Sequence, residues 1–126
     1  MPAALDRLKK RSEFLAVAGT NRRYTTPGLV LQARQTTSDE HVGIGELRAQ
    51  RSAVRVGFTA TKKVGNAVVR NRARRRLRAA VAEVMDGFTA RPADLVLVAR
   101  QGTITRPYGD LKNDLRLALK KLGIGQ

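Results

Sequence analysis

The chain has 126 residues, a length suited to one domain, and 42% of them are apolar, enough for a single core. It has no cysteine, which excludes disulfides and thiolate metal sites, and no run approaches the roughly 18 apolar residues of a membrane span. Lysine and arginine total 25 against 10 acids, a net charge of +15 that leaves a compact body repelling itself unless a polyanion relieves it. Nucleic acid is the leading partner by this argument, and an anionic membrane surface is the main competitor.

In chain order, residues 1–11 are polar and basic, and they turn charged before any apolar stretch forms, so they do not read as a signal peptide. These residues, with Leu5 and Leu8 as candidate anchors, and 123–126 are expected to be flexible flanks of one domain over 1–126. Ser12 and Glu13 open a short helical pattern through Phe14, Leu15, Val17 and Ala18, with Ser12 as N-cap and Gly19 as the stop. A short strand near Arg22–Tyr24 precedes a β-rich run from Gly28 to Gln35, after Pro27. Residues 36–51 are polar and read as a hairpin connection or loop. Ala53–Thr61 alternates: Val54, Val56, Phe58 and Ala60 share one face, and Arg55, Gly57, Thr59 and Thr61 the other. Gly65 then supplies a tight turn and Asn66 an N-cap for a helix over Ala67–Met85, stopped by Gly87. Asp94–Arg100 is a continuous apolar run, a strand buried on both faces. Thr105 caps a last helix carrying Leu111, Leu115, Leu119 and Leu122. The strand–helix–strand unit makes Ala53–Thr61 and Asp94–Arg100 parallel, and the whole an α+β sandwich.

The chemistry concentrates in residues 62–78, KKVGNAVVRNRARRRLR, with eight basic side chains and no acid. On a helical wheel Val69, Ala73, Leu77, Ala80 and Val84 form one stripe for the sheet. Asn71, Arg74, Arg75 and Arg78 cover a neighbouring arc, Arg70 sits at its apolar edge, and Arg72 and Arg76 lie on the far side. A solvated charged face normally interleaves acids at i,i+4 spacing; here Arg70, Arg74 and Arg78 would repel one another without a polyanion. Guanidinium forks grip phosphate oxygens bidentately and stack on bases, and Asn71 can add a directional contact to a base edge or a 2′-hydroxyl.

This block resembles the signature of the bacterial ribonuclease P protein family, often called its RNR motif. The neighbourhood agrees: RVGFTATKK runs into it, SEFLAV resembles the family's first helix, and ADLVLVARQG its last strand. The resemblance spans about residues 5–122. It implies an α-β-β-β-α-β-α order, a mixed sheet and a left-handed crossover around the basic helix, against the usual right-handed preference. It also implies a subunit of an endoribonuclease that binds a catalytic RNA and helps it remove the 5′ leader of precursor tRNA. On this reading Lys62, Lys63, Asn66, Arg70, Asn71, Arg72, Arg74, Arg75 and Arg78 bind the catalytic RNA. A cleft between the first helix and the sheet, with Phe14, Val17, Gln32, Arg34 and Arg55, holds the single-stranded leader. Two family aromatics there are replaced by Ala18 and Gln32; Arg34, Arg55 and Tyr24 are candidate replacements. No protein side chain is expected to be catalytic. Magnesium is expected to be held mainly by the RNA, and the protein to be a cytoplasmic monomer within the ribonucleoprotein, with no membrane partner.

Competing readings are weaker. His41 is the only histidine and lies in a polar loop. The ten acids are scattered, so a self-sufficient two-metal nuclease lacks its carboxylate cluster. Lys62–Asn66 lacks P-loop spacing. Phe58 and Phe88 read as core, Tyr108 as a staple for the last helix, and the C-terminal leucines as sheet packing rather than a dimer seam. A general RNA-binding or ribosomal protein would show no preference for leader-bearing substrates. A DNA-binding protein lacks a helix-turn-helix pairing.

Overall fold

A computed structural model describes residues 6–35, 54–86 and 93–124. Its elements run β1 (Asp6–Arg7), α1 (Arg11–Ala18), β2 (Arg23–Thr25), β3 (Leu29–Gln35), β4 (Val54–Thr59), α2 (Ala67–Val84), β5 (Ala93–Ala99), α3 (Gln101–Thr105) and α4 (Tyr108–Lys121). The strands form one mixed sheet in the order β1-β4-β5-β3-β2. As the strand–helix–strand pattern implies, β4 and β5 are parallel neighbours, Val56 opposite Leu95 and Phe58 opposite Leu97. β3 runs antiparallel to β5, and β2 antiparallel to β3.

Alternation of side chains divides the core between the two faces. On one, Leu29, Leu31, Val54, Val56, Leu95 and Leu97 pack against Ala73, Leu77, Ala80 and Val81 of α2 and Leu111, Leu115, Ala118 and Leu119 of α4. The leucine stripe of the last helix thus closes on the sheet, as expected. On the other face Val96 packs with Val17 of α1 and Leu8, with Phe14 and Val98 beside them. β5 is buried on both faces because it lies at the sheet centre with a helix on each side. Leu77 has no exposed surface, so its truncation to Ala should cost about 2–5 kcal/mol.

Four boundaries differ from the sequence reading. Residues 6–8, expected within a flexible flank, add a parallel edge to β4: Asp6 and Arg7 pair with Arg55 and Val56, and the Leu8 N–H donates to the Val56 carbonyl at 3.0 Å. Leu8 is buried beneath α1, which gives this segment its anchor. At the other end, Ile124 is buried and its N–H reaches the Leu119 carbonyl at 2.9 Å. Ser12 does not cap α1. Instead the Glu13 carboxylate, at the third helical position, accepts the Lys10 N–H at 3.0 Å, the reciprocal half of a capping box. Thr105 caps nothing: α3 ends at Thr105 and α4 starts at Tyr108. Arg106 precedes Pro107, and proline bars the residue before it from helical geometry; Arg106 is extended, at φ −68° and ψ 140°. Residues 36–51, with His41, and Gly87 and Phe88 lie outside the described residues.

Candidate nucleic-acid interface

The turn that enters α2 follows from its sequence. The Val64 N–H bonds the Thr61 carbonyl at 3.0 Å and the Gly65 N–H that of Lys62 at 3.2 Å. Gly65 stands at φ +151°, where L residues rarely go, and a Cβ there would come within 2.8 Å of Val69. The Asn66 side-chain oxygen accepts the Val69 N–H at 3.0 Å, the N-cap its position suggested. Lys62 and Lys63 are left exposed on this turn.

Along α2, Ala73, Leu77, Ala80 and Val81 face the core, while Asn71, Arg72, Arg75 and Arg78 are exposed and Arg70 and Arg74 half-buried. Arg74 donates to the Asn71 side-chain oxygen at 2.6 Å, which braces both side chains on the same arc. The Arg78 guanidinium lies 5.7 Å from the Phe58 ring centroid, within cation–π range. The Arg70 Nε is buried without an acceptor. Arg76 turns away, donating to the Arg106 carbonyl and standing 5.9 Å from the Tyr108 ring centroid. None of the eight basic side chains of 62–78 forms an ion pair with a described carboxylate. The result is a strip of cations whose charge the fold leaves uncancelled.

The sheet face under α1 is only partly covered, and an open cleft of about 460 Å³ remains beside the helix. Phe14, Ala18, Gln32, Thr59, Val96 and Val98 line it, with Lys9 and Arg11 at its rim. The Phe14 ring rests on Gly57: a Cβ there would stand 2.5 Å from the ring. From Val98 a second depression, of about 670 Å³, leads towards the α2 turn past Thr61, Lys63, Arg100 and Gln101.

The structure gathers Phe14 and Gln32 in the cleft, beside the Ala18 substitution, but uses the other expected cleft residues differently. Val17 is fully buried and supports α1 from below. Arg55 grips Asp94 with two hydrogen bonds of 2.8 Å and Glu13 with one of 2.9 Å. Arg34 reaches Asp94 from the opposite strand at 3.4 Å. Tyr24 packs against the main core. The hydrogen bond to Asp94 raises the Arg55 pKa further, against the opposing pull of burial. Burial would raise Glu13, but the backbone N–H groups of Lys10 and Lys9, with Arg55, outweigh it and hold the carboxyl below its ordinary range. Lys9 and Arg11 at the cleft rim carry no sequence signal for that place. They lie in a segment that reads as a flexible flank, so nothing local ties them to a site.

Among the described residues no three histidine or carboxylate side chains come together to hold a metal ion. No described helix is long and apolar enough to cross a membrane.

Comparison with known proteins decides the lineage. The family model for ribonuclease P matches residues 3–123. The chain belongs to the ribonuclease P protein family. A ribonuclease P protein component of Paramagnetospirillum magneticum is 48% identical over 98% of this chain and 86% of its own. One from Gluconacetobacter diazotrophicus is 50% identical over 94% and 91%. Among solved structures, the RNase P protein of Staphylococcus aureus superimposes with a TM-score of 0.71 at 20% identity, covering 98% of this chain and 100% of that one. The Thermotoga maritima RNase P protein gives 0.66 at 20% identity, covering 89% and 93%. At such identities the structures speak for the α+β ribonuclease P protein fold alone, and the sequence relatives for membership.

Proposed function

We propose that the chain works as the RNA-binding subunit of ribonuclease P, assisting a catalytic RNA in removing the 5′ leader from precursor tRNA. The observation that carries this, within the family, is the uncancelled cation strip of 62–78 on a rigid, sheet-backed helix. Lys62, Lys63, Arg70, Asn71, Arg72, Arg74, Arg75 and Arg78 would meet the phosphates of the catalytic RNA, releasing its condensed counterions. Asn66 serves the interface by starting the helix that carries them. On the other face of the sheet, Phe14 offers a stacking platform for a leader base, and Lys9 and Arg11 at the rim would hold the leader's phosphates. The depression from Val98 to Lys63 gives the strand a route between cleft and helix.

The chain binds and orients, and by neutralising phosphate it lowers the magnesium needed to fold the RNA and dock the substrate. Magnesium, held mainly by the partner RNA, supplies the activation of water that cuts the phosphodiester. The protein acts as a monomer within a cytoplasmic ribonucleoprotein. The test is cleavage of a 5′-extended precursor tRNA at low magnesium, with protein alone, a bacterial ribonuclease P RNA alone, and both. Cutting at the mature 5′ end only with both present is expected. Tight RNA binding without rescue would reduce the chain to a general RNA-binding module, and cutting by protein alone would require a nuclease site in the protein.

A further inference from the structure

Among the described residues, the open face of the sheet carries a single helix. α1 has eight residues and buries only Val17, and so short a helix has little stability of its own. Its first turn is tied down by charge. One Glu13 carboxylate oxygen accepts the Lys9 and Lys10 N–H groups at 2.9 and 3.0 Å, while the other takes Nη1 of Arg55 at 2.9 Å. Nε and Nη2 of Arg55 each reach a different oxygen of Asp94 at 2.8 Å. Asp94 is 1% exposed and stands on the central strand, directly opposite Arg55 on one neighbour and Arg34 on the other. A continuous chain of ion pairs therefore runs from the middle of the sheet to the N-terminal turn of α1.

Phe14, the residue after Glu13, lays its ring on Gly57, which follows Arg55 by two positions on the same face of β4. The ion pair and the aromatic contact thus hold α1 against one strand. The Arg55 side chain is 15% exposed, Asp94 1% and Glu13 23%, and both Glu13 oxygens are engaged, so the polar atoms of these groups are directed at one another and at the backbone rather than at a ligand.

We propose that the Glu13–Arg55–Asp94 chain is the positioning device of the leader cleft, fixing α1 and with it Phe14 over the sheet without touching RNA. The proposal rests on the reading of the cleft as the leader site. Its effect has a distinctive sign. Glu13→Gln removes a negative charge from a protein of net charge +15, so electrostatics alone would tighten RNA binding. Positioning predicts the opposite for the leader.

The experiment uses holoenzyme reconstituted from the full chain and a bacterial ribonuclease P RNA. Affinity is measured for precursor tRNA with a long leader and with a single-nucleotide leader, for wild type, Glu13→Gln, Phe14→Leu and the double variant. Affinity for the catalytic RNA, carried by α2, reports that each variant is folded. Glu13→Gln is expected to weaken long-leader binding by roughly fivefold, the lower end of what one stacked base carries. The single-nucleotide substrate should be unaffected, and the double variant no worse than Phe14→Leu. Arg55→Lys, which keeps the charge but loses the fork, should weaken the same substrate. Long-leader binding unchanged or tightened in Glu13→Gln, while Phe14→Leu weakens it, overturns the positioning role. So does additivity of the two substitutions. If Phe14→Leu itself leaves leader dependence intact, the cleft is not the leader site and that reading fails first.

Discussion

Gly57→Ala is the smallest change that probes the cleft. Alanine would ordinarily help a strand interior by about 0.5–1 kcal/mol, because glycine loses more backbone entropy on folding. At this position the new methyl would stand 2.5 Å from Cε2 and 2.6 Å from Cζ of Phe14, and 3.2 Å from the Leu8 Cβ. Ordinary carbon–carbon contact is about 3.5–4.0 Å, so the ring must lift by roughly 1 Å or swing away on its χ1. Overpacking of this kind costs about 1–3 kcal/mol, which outweighs the entropic gain and leaves a net loss of about 1 kcal/mol. For a domain of this size that is a fall of roughly 3–5 °C in Tm. Circular-dichroism melts measure the stability, and the ratio of long-leader to single-nucleotide-leader affinity reads the platform. We expect a lower Tm, a reduced ratio and unchanged affinity for the catalytic RNA. A Tm raised by the entropic gain, with the ratio intact, would mean that Phe14 does not rest on Gly57, and would refute the reasoning.

Replacing Arg70 and Arg74 by Ala should weaken binding to the catalytic RNA and flatten the plot of log affinity against log salt, by about 0.7–0.9 for each phosphate no longer neutralised; salt titrations with an unchanged slope would remove these residues from the interface. Asn66→Ala should cost about 1 kcal/mol by exposing the Val69 N–H, and Asn66→Asp should restore it, as followed by urea unfolding. Tyr108 is pushed up to about 12 by burial and by its hydrogen bond to Glu83. Its raised pKa makes the Tyr108 contribution complete below the ordinary tyrosine range and lost as pH rises through about 12. A phenolate absorbance titration of wild type and Tyr108→Phe should therefore show the missing tyrosine in the highest-pH step.

How much of this is legible in the sequence depends on the distance between partners. The β4 alternation, the Asn66 cap and the apolar stripe of α2 are fixed by neighbours within one or two turns, and the structure keeps them, except that Val81 joins Ala73, Leu77 and Ala80 in the core while Val69 and Val84 are half-buried. The break at Arg106 is equally local, and Pro107 alone suffices to place it. The pairing of residues 6–8 with β4 spans most of the first half of the chain, and no local pattern announces it. The arginines expected in the cleft are drawn elsewhere for the same reason. Arg55 is 39 residues from Asp94 and 42 from Glu13, and only sheet register and the docking of α1 bring them together.

The fate of the acids also explains why the basic segment keeps in the structure the character it has in the sequence. Glu13 and Asp94 pair with Arg55, Asp94 also with Arg34, Asp114 with Arg106, and Glu83 with Lys112. Every one of these cations lies outside 62–78. Within that segment no acid stands at helical spacing, so none could cancel the charge locally, and the fold brings no described carboxylate to it from afar. Folding therefore sharpens the asymmetry that composition only hints at. It uses acids to clamp α1 and α4 onto the body and leaves the cations of the signature segment without a described acidic partner. A substitution that placed an acid on this arc, such as Arg75→Glu, should then impair RNA binding more than removal of one exposed arginine elsewhere. It would reverse a charge and place an acid three residues from both Arg72 and Arg78, the helical ion-pair spacing that the sequence withholds.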